Sequence, residues 1–233
     1  MPIHGLQKLT LLDYPGHVAC TVFFGGCDLN CPFCHNYELV DGSAEPLMDE
    51  EDFFAFLLKR KGLLDGVAVT GGEPCLRPEL PAFLARIRAE GFAVKLDTNG
   101  FHPEMLKRLF DARLVDYVAM DVKNSPAKYA RTVGLTEIDL APVRESIRLI
   151  RDLAPDHEFR TTVVSEYHEE SDFHEIGKLI QGAKRCFLQA FTDRDTVPVA
   201  DLHAPDVRKM KIYAEILRGY VPETHLRGVE GAE

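Results

Sequence analysis

The chain has 233 residues, 27 basic and 37 acidic side chains, a formal charge of −10, 45% hydrophobic residues and six cysteines. This apolar fraction supports a packed core and argues against disorder. The acidic balance argues against a nucleic-acid binder with a general basic footprint. No apolar run approaches the roughly 20 residues of a membrane span. Residues 1–20 lack the basic-then-apolar order of a secretory signal, so a cytoplasmic setting is expected.

Residues 17–24 are rich in β-branched and aromatic side chains and stop at Gly25-Gly26, which predicts a strand. Asp49 and the acids after it open a helix carrying Phe53, Phe54, Leu57 and Leu58 as an apolar stripe, with Gly62 past its end. The same unit recurs. Strands are predicted over 67–70, 93–96, 117–120, 159–164 and 186–191, with helices over 79–90, 103–110, 141–153, 172–180 and 205–218. Six strand–helix units imply an α/β fold with a parallel sheet, either doubly wound or an incomplete barrel. Either form collects functional groups at the carboxyl ends of strands. Those ends carry Gly25-Gly26-Cys27, Thr70-Gly71-Gly72-Glu73-Pro74, Asp97-Thr98-Asn99-Gly100, Asp121-Val122-Lys123 and Gln189-Ala190-Phe191. One domain over 1–219 is expected, with its cysteine loop at 25–36 and a loosely held tail over 220–233.

Three of the cysteines, Cys27, Cys31 and Cys34, fall within eight residues. With no export signal, a disulfide scaffold is not expected and the cluster points to metal or redox chemistry. Four chemistries compete. Cys31-Pro32-Phe33-Cys34-His35 contains a haem-attachment pattern, which wants an exported protein and a second axial ligand. Cys31 and Cys34 are spaced as a redox dithiol, which leaves Cys27 idle. A zinc site wants four ligands, but Cys34 and His35 are adjacent and no distant pair completes it. An iron–sulfur cubane held by three thiolates would leave one iron open to another ligand. Cys20, Cys75 and Cys186 have no ligand spacing; the core is the expected place for Cys20 and Cys186.

The C-x3-C-x2-C spacing with Phe33 before the third cysteine resembles the cluster motif of the radical S-adenosylmethionine (SAM) superfamily. Gly71-Gly72-Glu73-Pro74 resembles that superfamily's loop for the SAM amino group. Asp13-Tyr14-Pro15-Gly16, Cys34-His35-Asn36, Asp97-Thr98-Asn99-Gly100 and Asp121-Val122-Lys123 resemble motifs of its glycyl-radical-enzyme activating branch. Asp-Tyr-Pro-Gly is most similar to the activating proteins of anaerobic ribonucleoside-triphosphate reductases.

The resemblance implies a single (βα)6 partial barrel and a [4Fe–4S] cluster on Cys27, Cys31 and Cys34. SAM would chelate the open iron and be split by one electron from a flavodoxin or ferredoxin. The product radical would take hydrogen from a glycine of a partner enzyme, by resemblance anaerobic ribonucleotide reductase. The resemblance also implies adenine contacts from Phe33, His35 and Asn36, an ammonium site at Gly71, Gly72, Glu73 and Asp97, and carboxylate or ribose contacts from Asp121 and Lys123. Asp13 would meet the partner's glycine loop. Pyruvate formate-lyase activators carry a SAM-contacting histidine near the position of Thr192, which this chain lacks. Glu73 is equally suited to orienting its own loop, and Asp121 and Lys123 to pairing with each other. Arg160 at a strand start could face the interior, where it would need a partner. Lys59, Arg60 and Lys61 offer a basic patch for the electron donor.

Overall fold

The structure, a computed structural model, describes residues 1–229. All six expected strands form: β2 (Ala19–Phe24), β3 (Gly66–Gly71), β4 (Ala93–Thr98), β5 (Tyr117–Asp121), β6 (Asp156–Val163) and β7 (Cys186–Ala190). They pair in parallel in chain order. A doubly wound sheet reverses its strand order at a switch point. This sheet does not reverse, and its first and last strands are not paired, so it curls as an incomplete barrel. Burial on both faces explains near-continuous apolar strands such as Val67, Ala68 and Val69.

Two strands were not expected. β1 (Gly5–Thr10) pairs antiparallel to β2, and β8 (Thr224–Arg227) pairs parallel to β7. Both are edge strands, half exposed, so their apolar periodicity is weak. β8 corrects the loosely held tail. Its Arg227 forks the buried Glu158 at 3.0 and 3.1 Å and lies 3.5 Å over the Phe187 ring. Residues 230–233 of that expected tail lie outside the described residues.

Helices cover the outside: α1 (Tyr37–Asp41), α2 (Glu50–Leu58), α3 (Leu80–Ala89), α4 (Pro103–Asp111), α5 (Tyr129–Thr132), α6 (Ala141–Leu153), α7 (Glu170–Ile180) and α8 (Val207–Arg218). α1 and α5 are too short to leave a periodic signal. α2 begins where its chemistry predicts, with the Asp49 carboxylate accepting from the Asp52 amide at 2.9 Å. Phe53 and Phe54 pack on Phe83 of α3, which stands edge-on to Phe24 of β2. Leu58 departs from the expected stripe: it ends the helix 47% exposed, while Phe53, Phe54 and Leu57 are buried. Cys20 and Cys186 are fully buried in the core, and burial pushes each thiol up to about 12. No helix of the described residues is long and apolar enough to cross a membrane.

Candidate functional site

The loop after β2 holds the three clustered cysteines on the carboxyl-end rim. Two backbone bonds stitch it to the Gly-Gly-Glu loop after β3: Gly72 N donates to Phe24 O and Glu73 N to Gly26 O, both at 2.8 Å. This contact explains the glycines. A Cβ on Gly71 would strike the Phe24 backbone, and one on Gly72 the Gly26 carbonyl. The close approach they permit is therefore to the cysteine loop itself, although both also border the cavity below it. On its other side the loop is fastened by Asn30 N to Val133 O at 3.0 Å.

Cys27, Cys31 and Cys34 are free thiols that border one cavity of about 420 Å3. Burial pushes Cys27 up to about 12, Cys31 up to about 11 and Cys34 upward as well. A metal must therefore displace protons to gain thiolate ligands. Among the described residues no three His, Cys, Asp or Glu side chains converge on a single ion. Three thiols on one cavity suit a cluster held at three of its corners better than a zinc site that needs four ligands.

Glu73 corrects the expectation that it meets a ligand. Its carboxylate is fully buried and accepts from Cys75 N (2.9 Å), Thr98 Oγ1 (2.9 Å) and Asn99 N (2.6 Å). Those bonds occupy both oxygens, and Glu73 is absent from the cavity wall, so it orients its own loop and the one after β4. Cys75 is buried in the same turn.

Asp97, Asp121 and Lys123 do reach the cavity, joined by Arg160. The parallel register sets Asp121 beside Arg160. Arg160 donates to Asp121 at 2.9 Å and to Asp97 at 3.3 Å; Lys123 pairs with Asp121 at 3.0 Å, and the buried Lys95 pairs with Asp97. Burial alone would raise both carboxyls, but Arg160, with Lys95 at Asp97 and Lys123 at Asp121, holds them below the usual range. On the cavity wall Arg160 and Lys123 balance Asp97 and Asp121, and the buried Lys95 adds a positive charge behind Asp97.

Phe33 is buried beside Tyr167 and also borders the cavity. Asn36 is exposed at the start of α1, and its side chain makes no cap. The His35 ring stacks on Phe191 at 5.6 Å, and its Nε2 meets Thr192 O at 2.6 Å. The place beside Thr192 where a histidine was missed is thus taken by a ring from the cysteine loop. Asp13 borders the same cavity from the β1–β2 loop and accepts from Thr21 Oγ1 at 2.6 Å.

Sequence reasoning missed a small cluster at Cys27. Asp28 accepts from Asn99 Nδ2 at 2.7 Å and meets His102 Nε2 at 2.9 Å. Its local signal is slight: Asn99 lies inside Asp97-Thr98-Asn99-Gly100, but Asp28 and His102 are 74 positions apart. The basic patch is a correction. Residues 59–61 follow α2 at the amino ends of the strands, where Asp65 N bonds Val18 O, and Lys61 is paired with Glu90 at 2.6 Å. They sit at the far end of the barrel from the cysteines.

The model of the radical SAM superfamily matches residues 21–180. A Methanocaldococcus jannaschii protein named as a glycyl-radical enzyme activating enzyme is 31% identical over 98% of this chain and 97% of its own length. The 7-carboxy-7-deazaguanine synthase of Thermococcus kodakarensis is 28% identical over 84% of this chain and 80% of its own. Among solved structures, Streptococcus suis SuiB bound to S-adenosylmethionine superposes with a TM-score of 0.70 at 12% identity, over 90% of this chain and about half of that longer one (52%), a likeness of fold. The superfamily works with a [4Fe–4S] cluster and SAM. The chain belongs to the radical SAM superfamily and is an enzyme of its glycyl-radical-enzyme activating type.

Proposed function

We propose that this enzyme generates a glycyl radical on anaerobic ribonucleoside-triphosphate reductase, taking its electron from a flavodoxin or ferredoxin in the cytoplasm. The observation that carries the reading is convergence: three free thiols, the Gly-Gly loop, a charged wall and Asp13 all border one cavity. Cys27, Cys31 and Cys34 would hold the cluster, which when bound supplies the electron that cleaves SAM. The Asp97–Arg160–Asp121–Lys123 wall, two cations against two carboxylates, would offer Arg160 and Lys123 to the SAM carboxylate and Asp97 to its ammonium. Gly71 and Gly72 contribute backbone to the same end. Phe33, His35 and Asn36 border the side where the adenine would lie, with Phe33 supplying a flat apolar face. Asp13, across the cavity, is available to a peptide of the partner entering between the unpaired edges β1 and β8. The distant 59–61 patch is set aside as the donor's landing place, because electron transfer needs approach to the cysteine end.

Anaerobic reconstitution followed by SAM and dithionite is expected to yield 5′-deoxyadenosine. Adding the reductase should then give a glycyl-radical signal by electron paramagnetic resonance. An intact cluster that yields no 5′-deoxyadenosine would sink the radical chemistry. Product without a radical on the reductase would move the target to another glycyl radical enzyme. A second reading, a small-molecule substrate, is favoured by the similarity to the deazaguanine synthase and predicts substrate turnover with no protein radical.

Arg160→Lys keeps a charge but loses the planar fork that bridges two carboxylates. SAM should bind about tenfold more weakly, about 1.4 kcal/mol, read from the SAM-induced spectral change of the reconstituted protein. Unchanged affinity would remove Arg160 from the binding wall.

A further inference from the structure

The loop between β1 and β2 is mostly in solvent: Leu11 and Leu12 are exposed, Leu12 to 87%, as are Pro15 and Gly16. Tyr14 is the exception, 2% exposed. Its ring stacks on His17 at 4.1 Å and leans on Tyr117 of β5 at 6.1 Å. With Ala19, Ala119 and Ala93 these two tyrosines form a small apolar cluster separate from the main core. Gly66 makes room for it, since a Cβ there would lie 2.8 Å from the Tyr14 Cε1. The Tyr14 hydroxyl has no hydrogen-bond partner among the described residues, so the ring is what the site uses.

Consecutive residues of this loop face different spaces. Asp13 borders the 420 Å3 cavity, whereas Tyr14 borders a depression of about 540 Å3 at the base of the barrel, lined also by His17, Tyr117, Asp116, Asp156 and Arg185. No residue lines both. We propose that Tyr14 is a positioning residue, anchoring the loop that holds Asp13 toward the cavity and forming, with Tyr117, the partition that closes the cavity's base.

The inference rests on the activase reading for what Asp13 touches, but not for the partition. A partition matters to radical chemistry because it keeps small hydrogen donors away from the reacting carbon. An anchor matters because small misplacement of a substrate contact costs productive geometry.

Three variants test it. Tyr14→Ala removes the ring, Gly66→Ala pushes on it from β3, and Tyr14→Phe removes only the unpartnered hydroxyl. In the protein without cofactors, hydrogen exchange of the amides at 11–17 should accelerate about tenfold in the first two and stay unchanged in Tyr14→Phe. After reconstitution, 5′-deoxyadenosine formation without partner should persist in all three. Glycyl radicals formed per 5′-deoxyadenosine should fall about tenfold in Tyr14→Ala and Gly66→Ala only. In D2O containing a small thiol, their 5′-deoxyadenosine should also gain deuterium: an S–D bond breaks, a C–D bond forms on the 5′ carbon, and a thiyl radical remains. Folded Tyr14→Ala with wild-type exchange, coupling and deuterium content would overturn the proposal. So would a Tyr14→Phe variant as damaged as Tyr14→Ala. If wild-type protein makes 5′-deoxyadenosine but no glycyl radical on any partner, the activase reading fails, and exchange and deuterium content still decide the role of Tyr14.

Discussion

Serine at any one of Cys27, Cys31 or Cys34 is expected to leave a folded protein that holds little iron and makes no detectable 5′-deoxyadenosine. The ligand is a thiolate, and an alkoxide is not accessible to serine near neutral pH, so each replacement removes a corner of the cluster's support. The fold should survive, because the cysteine loop is fastened by backbone bonds from Gly26, Asn30, Gly72 and Glu73, and its sulfurs add only the contact of Leu29 N with Cys27 Sγ at 3.4 Å and weaker ones. Serine at Cys20 or Cys186 should do the opposite. Each buries a hydroxyl in the apolar core at a cost of about 1–3 kcal/mol, lowering Tm while iron content stays normal. Iron per chain and thermal melting of the five variants separate the two groups. Normal iron in all three of the clustered variants would refute the ligand assignment.

Glu73→Ala should be among the most destabilising single changes in the molecule. It strips the acceptor from the Cys75 amide, the Thr98 hydroxyl and the Asn99 amide, all in a buried turn. Each unsatisfied group costs about 1–3 kcal/mol, so a loss of roughly 3 kcal/mol or more is expected, read by urea unfolding without SAM. Glu73→Gln keeps one acceptor but turns an NH2 toward donors, and an intermediate loss is expected. A residue whose work was to hold the SAM ammonium would behave differently: its loss would weaken SAM binding and leave the unfolding midpoint of the SAM-free protein unchanged. That outcome would return Glu73 to the cavity.

Both predictions turn on residues that look alike in the sequence. Six cysteines separate into three at ligand spacing and three without it, and Cys20 and Cys186 indeed lie in the core. Spacing is local, so it could be read directly. Glu73 was ambiguous because a carboxylate after a strand can point to a ligand or to its own turn. The choice depends on Thr98 and Asn99, 25 and 26 positions away.

The same division runs through the fold. The six βα units and their order were legible because strand and helix periodicities are short-range and the parallel strands are apolar on both faces. Edge strands β1 and β8 were not, since half of each faces solvent and pairing alone defines them. Lys59, Arg60 and Lys61 looked like a docking patch, yet a helix that leaves one rim returns to the other, which puts them at the wrong end.

By itself, then, the amino-acid sequence determined the order of the six strand–helix units and, through cysteine spacing and the Gly-Gly-Glu-Pro loop, the kind of chemistry. Only the tertiary structure decided which polar groups face the cavity and which satisfy one another. It gave Arg160 two carboxylates, turned Glu73 inward, set His35 beside Thr192 and drew Tyr14 under the barrel. The physical reason is that a buried polar or aromatic side chain takes its role from partners the parallel sheet brings together from distant positions, and local sequence does not name them.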